Sequence, residues 1–485
     1  MRSIVLFRPI ALAALLLLFV WSGLGLADTP IDVMLLQARV LYTRGDSDQA
    51  MDVVKQVLEL EPQHVEARVL QGELFLGLDD PEAAEGALTQ ALGLDPGPGP
   101  GPGHEEALVL RALSRERLGR VEEAMADLSQ ALDMAPTSNQ ALFHRGRLLL
   151  ESGDAGGALS DLSRCLLHDR SNALAWHLRG VANCNLKRFG DGLDDLAQVL
   201  ELEPEYGPAW LARARCRIAP EVDDLAGAVA DYRRAAELMP EAPALSLELS
   251  QALIREHSPQ SLEEAEEHLD SLLQLAQDDP QAWLVRAEAR LALGDNQGAA
   301  QDLRQVLILD PDHAEGYYLL GSLLTDQGLV QEAMENLERA AVLRPEYVPG
   351  LIRLGQLYTL ADRYDRAVGA FTTALDLEPM LPAALYGRAF ALLSAGEEAK
   401  ALEDFTLAAE LDPTPRAFCL MGMLRMGMGD AEGAARDFSM ALELDHGYAY
   451  AYAARAEAYT QMGFIERALK DMERARELAP DLDLS

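Results

Sequence analysis

The sequence predicts an all-α fold, an α-solenoid of about thirteen tandem helix–turn–helix repeats running from residue 31 to 480. Three observations predict it. Prolines recur with a spacing near 34 residues, two columns of small residues run in step with them, and glycine returns between those columns. Pro62, Pro96, Pro136, Pro204, Pro240, Pro311, Pro345, Pro379, Pro413 and Pro480 each follow a run such as E-L-x-P, with Arg170, Gln277 and His446 in the same slot elsewhere. Proline there predicts the end of one helix and the opening of the next, because it cannot donate in a helix interior and fits a first turn.

The small columns justify the pairing of helices. Gly321, Gly355, Ala389 and Gly422 lie on the first helix of their repeats; Ala333, Ala367, Ala401 and Ala434 lie on the second. Small residues on both helices let the backbones approach, and bulk at either would overpack the contact. Gly45, Gly119, Gly153, Gly294, Gly328, Gly396, Gly429 and Gly463 mark the turn between the two helices, where a left-handed residue closes a helix. Four residues after the second column a large apolar residue (Leu128, Leu162, Phe371, Phe405) fills the space between the helices.

This pattern resembles the tetratricopeptide repeat, carried most fully by Leu354, Gly355 and Tyr358 followed by Ala367, Phe371, Ala374 and Pro379, and by Trp176 with Gly180. The resemblance implies a right-handed superhelix whose first helices line a concave surface, and a protein that works by binding other proteins. On that surface the expected partner-binding residues are Tyr318, Ile352, Gln356, Tyr386, Phe390, Leu393, Met423 and Met426, with Cys419 among them, and a mixed face of Phe143, Arg147, His177 and Arg215 earlier. The charged peptide clamp of some family members needs Lys and Asn on successive first helices; the first repeat has Leu35 and Arg39 there.

A second correlation needs no family. Eight repeats carry Asp just before the large apolar residue: Asp127, Asp161, Asp195, Asp231, Asp302, Asp404, Asp437 and Asp471. Seven of them carry Arg just before the small residue of the first helix: Arg111, Arg145, Arg179, Arg213, Arg286, Arg388 and Arg455; Asp437 faces Met421 instead. Co-occurrence predicts an Arg–Asp pair bridging the two helices, since the planar guanidinium matches a carboxylate.

The remaining features bound location and chemistry. Arg2 and Arg8, the apolar run Ile10 to Val20, and Gly25 and Ala27 read as a secretory leader, residues 1–27, cleaved before Asp28; a retained anchor is the alternative and would tie the chain to a membrane. A periplasmic or secreted location follows from that leader. Net charge is −38, which keeps a long molecule soluble and repels phosphate, so no nucleic acid is expected as partner. Cys165, Cys184, Cys216 and Cys419 read as small buried side chains, with a Cys184–Cys216 bridge as the alternative in an oxidising compartment. Met421, Met423, Met426 and Met428 read as filler of core or groove, with Cu(I) ligation as the alternative. No catalytic or cofactor motif is found, and neither an enzyme nor a cofactor is expected. The G-P-G-P-G-P insert at 97–102 breaks the array, shorter inserts near Pro220–Asp224 and His257–Ser261 fall at turns, and the last repeat ends without a capping helix. Three functions fit: an interaction scaffold, a chaperone-like binder of unfolded segments, and a membrane-anchored assembly factor for envelope or polysaccharide export.

Overall fold

The computed structural model describes residues 30–94 and 103–479; the leader, the Gly-Pro insert and Pro480 lie outside them. Twenty-six α-helices and no strand occur among the described residues, paired into thirteen repeats. The molecule is an all-α solenoid. It divides into two compact units, one ending at Leu245 and one beginning at Ser246, inside the first helix of the seventh repeat.

Each repeat is built by local chemistry. The first helix ends on a tight turn in which one residue has positive φ, and all thirteen turns obey this. Glycine fills eight of them, as the sequence predicts; Asp79, Lys187, Asp223, His257 and Asp362 fill the other five. Asp80, Asp154, Asp224, Asp295 and Asp430 then accept hydrogen bonds from the backbone N–H three residues on and start the second helix. Among the described residues, the prolines of the 34-residue period stand in the turn between repeats. Pro311 lies two residues past the helix ending at Leu309 and three before the helix opening at Ala314, so it stops one helix without itself opening the next. The extra residues near Pro220–Asp224 lengthen a turn, whereas those near His257–Ser261 extend the second helix to Pro259–Leu275, 17 residues against 14 in most repeats.

Packing follows the two small columns. In the second unit Phe371 is fully buried, and a Cβ on Gly355 would stand 2.8 Å from its ring. A Cβ on Gly387, in the next repeat, would stand 2.3 Å from the same ring. One phenylalanine is thus held between glycines of two successive repeats. In the first unit leucine fills the gap within a single repeat: Gly146 abuts Leu162 and Gly180 abuts Leu196. The core is accordingly a chain of clusters, each shared by neighbouring repeats.

The Arg–Asp rungs are present in all seven predicted repeats. Each Arg donates through Nε and one Nη to both carboxylate oxygens, at 2.6–3.0 Å, and each Asp is buried. Asp437 is a correction. It does not go without a partner across from Met421: Arg425, one turn further along the first helix, donates to both its oxygens at 2.7 and 2.8 Å. The same later position supplies a second guanidinium, from Arg115, Arg217 and Arg290, to Asp127, Asp231 and Asp302. In the fifth repeat Asn183 occupies it and donates to Asp195, leaving an open recess of about 550 Å³ beside Ser160, Ser163 and Asp191.

The rungs also reach between repeats, which the sequence comparison did not reveal. The outer Nη of Arg145, Arg388 and Arg455 donates to Ser129, Thr372 and Ser439 on the second helix of the preceding repeat, at 2.9–3.2 Å, and that of Arg286 to Asp270 at 2.6 Å. Trp176, Trp210 and Trp283 add a third element. Each indole lies 4.6–4.7 Å from the guanidinium of its rung and donates to the carbonyl six residues back.

Two predictions test this packing. In thermal or urea melts, Arg388→Met and Asp404→Leu each lose about 1–3 kcal/mol, because each strands a buried partner, while the double variant loses much less than their sum; additive losses would show that the pair contributes nothing. Gly387→Ala costs about 1–3 kcal/mol by crowding Phe371, whereas His257→Gly gains about 1 kcal/mol by relieving a left-handed residue that carries a side chain.

Candidate functional site

A repeated fold leaves function to the positions where the repeats differ. Within each unit, first helices of successive repeats pack on one another: Pro30–Thr43 on Val65–Gly77 in the first unit, and Val348–Leu360 on Pro382–Ser394 in the second. No contact of comparable extent joins successive second helices among the described residues. The first helices therefore line up face to face along part of each unit. The residue directly after the small column sits on that face and changes from repeat to repeat: Gln251, Glu288, Ser322, Gln356, Phe390, Met423 and Glu457 in the second unit.

The structure divides the expected groove residues. Gln356, Phe390 and Met423 are exposed, Phe390 by 40% and Met423 by 46%. Tyr318 and Ile352 are half-buried against the cluster that contains Leu320 and Leu351. Tyr386 and Leu393 are half-buried beside Phe405, and Met426 beside Phe438. Cys419 is buried, so it offers nothing to a ligand. The open apolar stripe is therefore Phe390 and Met423, and it is extended by a residue that the sequence reading missed. Tyr450 is 41% exposed on the next first helix, and its hydroxyl lies 3.3 Å from Met423 Sδ. Its place in the first turn, six residues before Ala456, is the position Arg416 takes in the repeat before, and that repeating offset was the available signal.

The other end of the same face carries charge. Glu288 is half-buried, and burial, reinforced by Glu315, pushes its carboxyl up to about 7. Neither carboxylate forms an ion pair among the described residues. Tyr318 meets Tyr347 edge to face, ring centroids 5.0 Å apart, and burial, then the neighbouring Tyr318 and Glu315, raises the Tyr347 phenol. Ser322 Oγ, one turn beyond Tyr318, is buried without a hydrogen-bond partner. Sequence reading passed over Glu288 and Glu315 because acids on amphipathic helices ordinarily face water.

The mixed face of the first unit is largely committed to internal contacts. Arg147 pairs with Glu116 and Glu151. Burial holds the His144 and His177 imidazoles down to about 4, so both are neutral at pH 7, and His177 packs edge to face on Tyr206 at 5.4 Å. The four methionines do not converge: Met421 lies in the Phe405 cluster, Met426 in the Phe438 cluster, while Met423 and Met428 are exposed. Among the described residues no group of three His, Cys, Asp or Glu is arranged to hold a metal ion, and no helix is long and apolar enough to cross a membrane.

The cysteines correct the sequence reading. Cys184 and Cys216, expected to be free thiols, lie on successive first helices with Cα atoms 5.9 Å apart and are joined as a disulfide. The period brings them together, because 32 residues is one repeat less two. Cys165 and Cys419 are free and buried, and burial pushes their thiols up to about 11 and 12.

Paired helices, small-residue contacts and aligned first helices define a helical-repeat protein. The tetratricopeptide repeat profile matches residues 35–99, 109–173, 284–348 and 352–414, more than half of the chain, and the chain belongs to that family. Among characterised relatives it is similar to the DnaJ homolog subfamily C member 7 homolog of Schizosaccharomyces pombe, 26% identical over 184 residues, covering 36% of this chain and 39% of that protein. It is also similar to the tetratricopeptide repeat and J domain-containing co-chaperone DNJ1 of Fusarium oxysporum, 28% identical over 209 residues, 40% of this chain and 39% of that one. The chain thus spans about two fifths of the length of these relatives. Among solved structures, the Cut9 and Hcn1 hetero-tetramer of the APC/C gives a TM-score of 0.36 at 14% identity, covering 96% of each chain.

Glu288 generates a prediction. Its folded-state value of about 7 lies above the ordinary 4.5, so the folded chain holds a proton that the unfolded chain releases, and stability falls as pH rises from 4.5 through 7. Glu288→Gln therefore raises the melting temperature at pH 8 and leaves it unchanged at pH 4. An equal effect at both pH values would show that the carboxyl is not strained by its surroundings.

Proposed function

We propose that the protein is an exported scaffold that binds a partner protein through an extended segment laid along the first helices of its second unit. The observation that carries the reading is the stripe of Phe390, Met423 and Tyr450, large apolar side chains left open to water on three successive first helices. Met423 and Tyr450 meet at 3.3 Å on adjacent first helices, and a contiguous apolar exposure of this kind marks a contact surface. Gln356, exposed one repeat earlier, offers an amide to a partner's backbone. Two independent features support export. Residues 1–27 have the order of a secretory leader, and the Cys184–Cys216 bridge belongs in an oxidising compartment.

A second reading has an observation of its own. Both relatives named above carry the J-domain or DnaJ name, and the chain matches them over its repeats. A Met- and Phe-lined stripe also suits adaptable binding of unrelated unfolded segments.

The deciding experiment is affinity capture from the extracytoplasmic fraction with residues 28–485 as bait, run beside a Phe390→Ala/Met423→Ala variant whose melt matches the parent. Phe390 is 40% exposed but also meets the buried Phe405 edge to face at 5.2 Å, which is why the variant's melt must match the parent. A small set of proteins lost by the variant supports the scaffold, a broad set of unrelated chains lost together supports the chaperone-like binder, and equal capture by both baits rejects the stripe. Export is tested separately. The denatured, non-reduced protein from its native source reacts with maleimide at two thiols and, once reduced, at four; four thiols without reduction would place it in a reducing compartment.

A further inference from the structure

We propose that the open recess in the fifth repeat is a site for arginine with a free carboxylate, either the amino acid or the last residue of a partner chain. Asp191 and Asp195 take its guanidinium and Arg188 its carboxylate. The site belongs to the first unit and is separate from the stripe on which the proposed function rests.

The repeats show what the recess lacks. In four of them the rung Asp receives a second guanidinium from the first helix, that of Arg115, Arg217, Arg290 or Arg425, at 2.7–2.9 Å. The third repeat matches the fifth most closely at these positions. Both have an Arg–Asp rung (Arg111–Asp127, Arg179–Asp195), an Arg immediately before the second helix (Arg120, Arg188) and an acid just ahead of its small residue (Glu123, Asp191). In the third repeat Arg115 pairs with Glu85, Glu123 and Asp127, and Glu85 also holds Arg120 at 3.0 Å. The fifth repeat has Asn183 in place of Arg115 and Leu159 in place of Glu85. One guanidinium and one carboxylate are therefore missing. The five residues equivalent to that network, Leu159, Asn183, Arg188, Asp191 and Asp195, all line the recess of about 550 Å³. Sites for small ligands run from about 300 to 1,000 Å³.

Polar groups around the recess are left without partners. Asp191, Asp194 and Arg188 form no ion pair among the described residues. Asn183, 4% exposed, donates through Nδ2 to Asp195 at 3.0 Å, and its Oδ1 accepts no bond among the described residues. The outer Nη of Arg179 makes no bond to Ser163, whereas those of Arg111, Arg145, Arg388 and Arg455 donate to Thr89, Ser129, Thr372 and Ser439 at the same position. Acceptors thus gather where Arg115 lies in the third repeat. A planar guanidinium with five donors serves two carboxylates and an amide oxygen at once, which the point charge of an ammonium does less well. A bare cation would meet Arg188 uncompensated. Arg188 is exposed, and its long side chain meets a carboxylate at the mouth of the recess as Arg120 meets Glu85. Arginine with a free carboxylate supplies both missing groups in one molecule.

The test measures binding to the full mature chain, residues 28–485, by calorimetry at about 0.15 M salt, where diffuse attraction to an acidic protein is screened beyond about 8 Å. The probes are L-arginine, agmatine (no carboxylate), L-citrulline (no cation), and the peptide acetyl-Gly-Gly-Arg as free acid and as amide. One saturable site is expected for L-arginine or the free-acid peptide, with agmatine, citrulline and the amide about tenfold weaker or more. The tighter of the first two identifies the source. Agmatine carries the greater positive charge, so bulk attraction alone would rank it above arginine. Two variants locate the site. Asn183→Arg/Leu159→Glu rebuilds the network of the third repeat; it melts higher than the parent and binds neither ligand. Asp191→Asn, an exposed change outside the rung, keeps the parent's melt and weakens binding about tenfold. No saturable binding of either ligand, citrulline equal to arginine, or binding that survives both variants overturns the site. Agmatine equal to arginine overturns the role given to Arg188.

Discussion

The close approach of the two helices within a repeat is the constraint on which the rest of this structure depends. It exists because Gly or Ala stands where a side chain would fill the gap, and because one large apolar residue, Leu or Phe, is pressed into the space that remains. The tolerance is narrow: a methyl group on Gly355 or Gly387 would enter the ring of Phe371. Once that contact is fixed, the turn is fixed as well. All thirteen intra-repeat turns pass through a left-handed residue, whether glycine supplies it freely or Lys187 and His257 supply it at a cost. Backbone geometry is therefore dictated by packing, and the turn residue adapts to it.

The Arg–Asp rungs act one level up. A buried ion pair is an expensive way to hold two helices together, because both partners must leave water. Its cheaper replacement is visible in the same chain. Leu249, Leu320 and Leu354 stand in the Arg column of three repeats that lack the Asp, all buried. The leucine fills the place of the pair in the intra-repeat contact. What the leucine cannot do is donate a third hydrogen bond to Ser129, Thr372 or Ser439 on the preceding repeat. The rung thereby sets the rotation of one repeat against the next through directional bonds, where apolar contacts would allow sliding. Register is the physical reason to retain so many buried charges.

Much of this was legible in the sequence, and the reason is repetition. A column that recurs thirteen times announces itself, so the helices, their pairing, the small residues and the rungs were read from spacing alone. The failures share a cause as well. Arg425 was missed as the partner of Asp437 because it sits one turn from the expected column. The Cys184–Cys216 bridge was set aside because a two-member feature has no period to support it. Only part of the groove list is open to water, because periodicity shows which face a residue lies on and not how far its neighbours cover it; Tyr386 and Met426 are packed on Phe405 and Phe438.

The same logic explains why the candidate site is found where it is. Residues shared by every repeat are spent on holding repeats together, and any change at them is felt along the array. The position after the small column carries no such duty. It holds Glu288, Ser322, Gln356, Phe390 and Met423 in five consecutive repeats, a run from acidic through polar to apolar. No packing requirement generates that gradient, since the helix beneath it is nearly the same in each repeat. A surface that changes from repeat to repeat over a shared scaffold, returning to acidic at Glu457, is what an extended ligand would meet residue by residue. The first unit lacks it, because there Arg147 is already engaged by Glu116 and Glu151 and His177 is packed on Tyr206. The proposed binding face is therefore placed on the second unit, where large apolar side chains are left open, and not on the first, where Arg147 and His177 are already engaged.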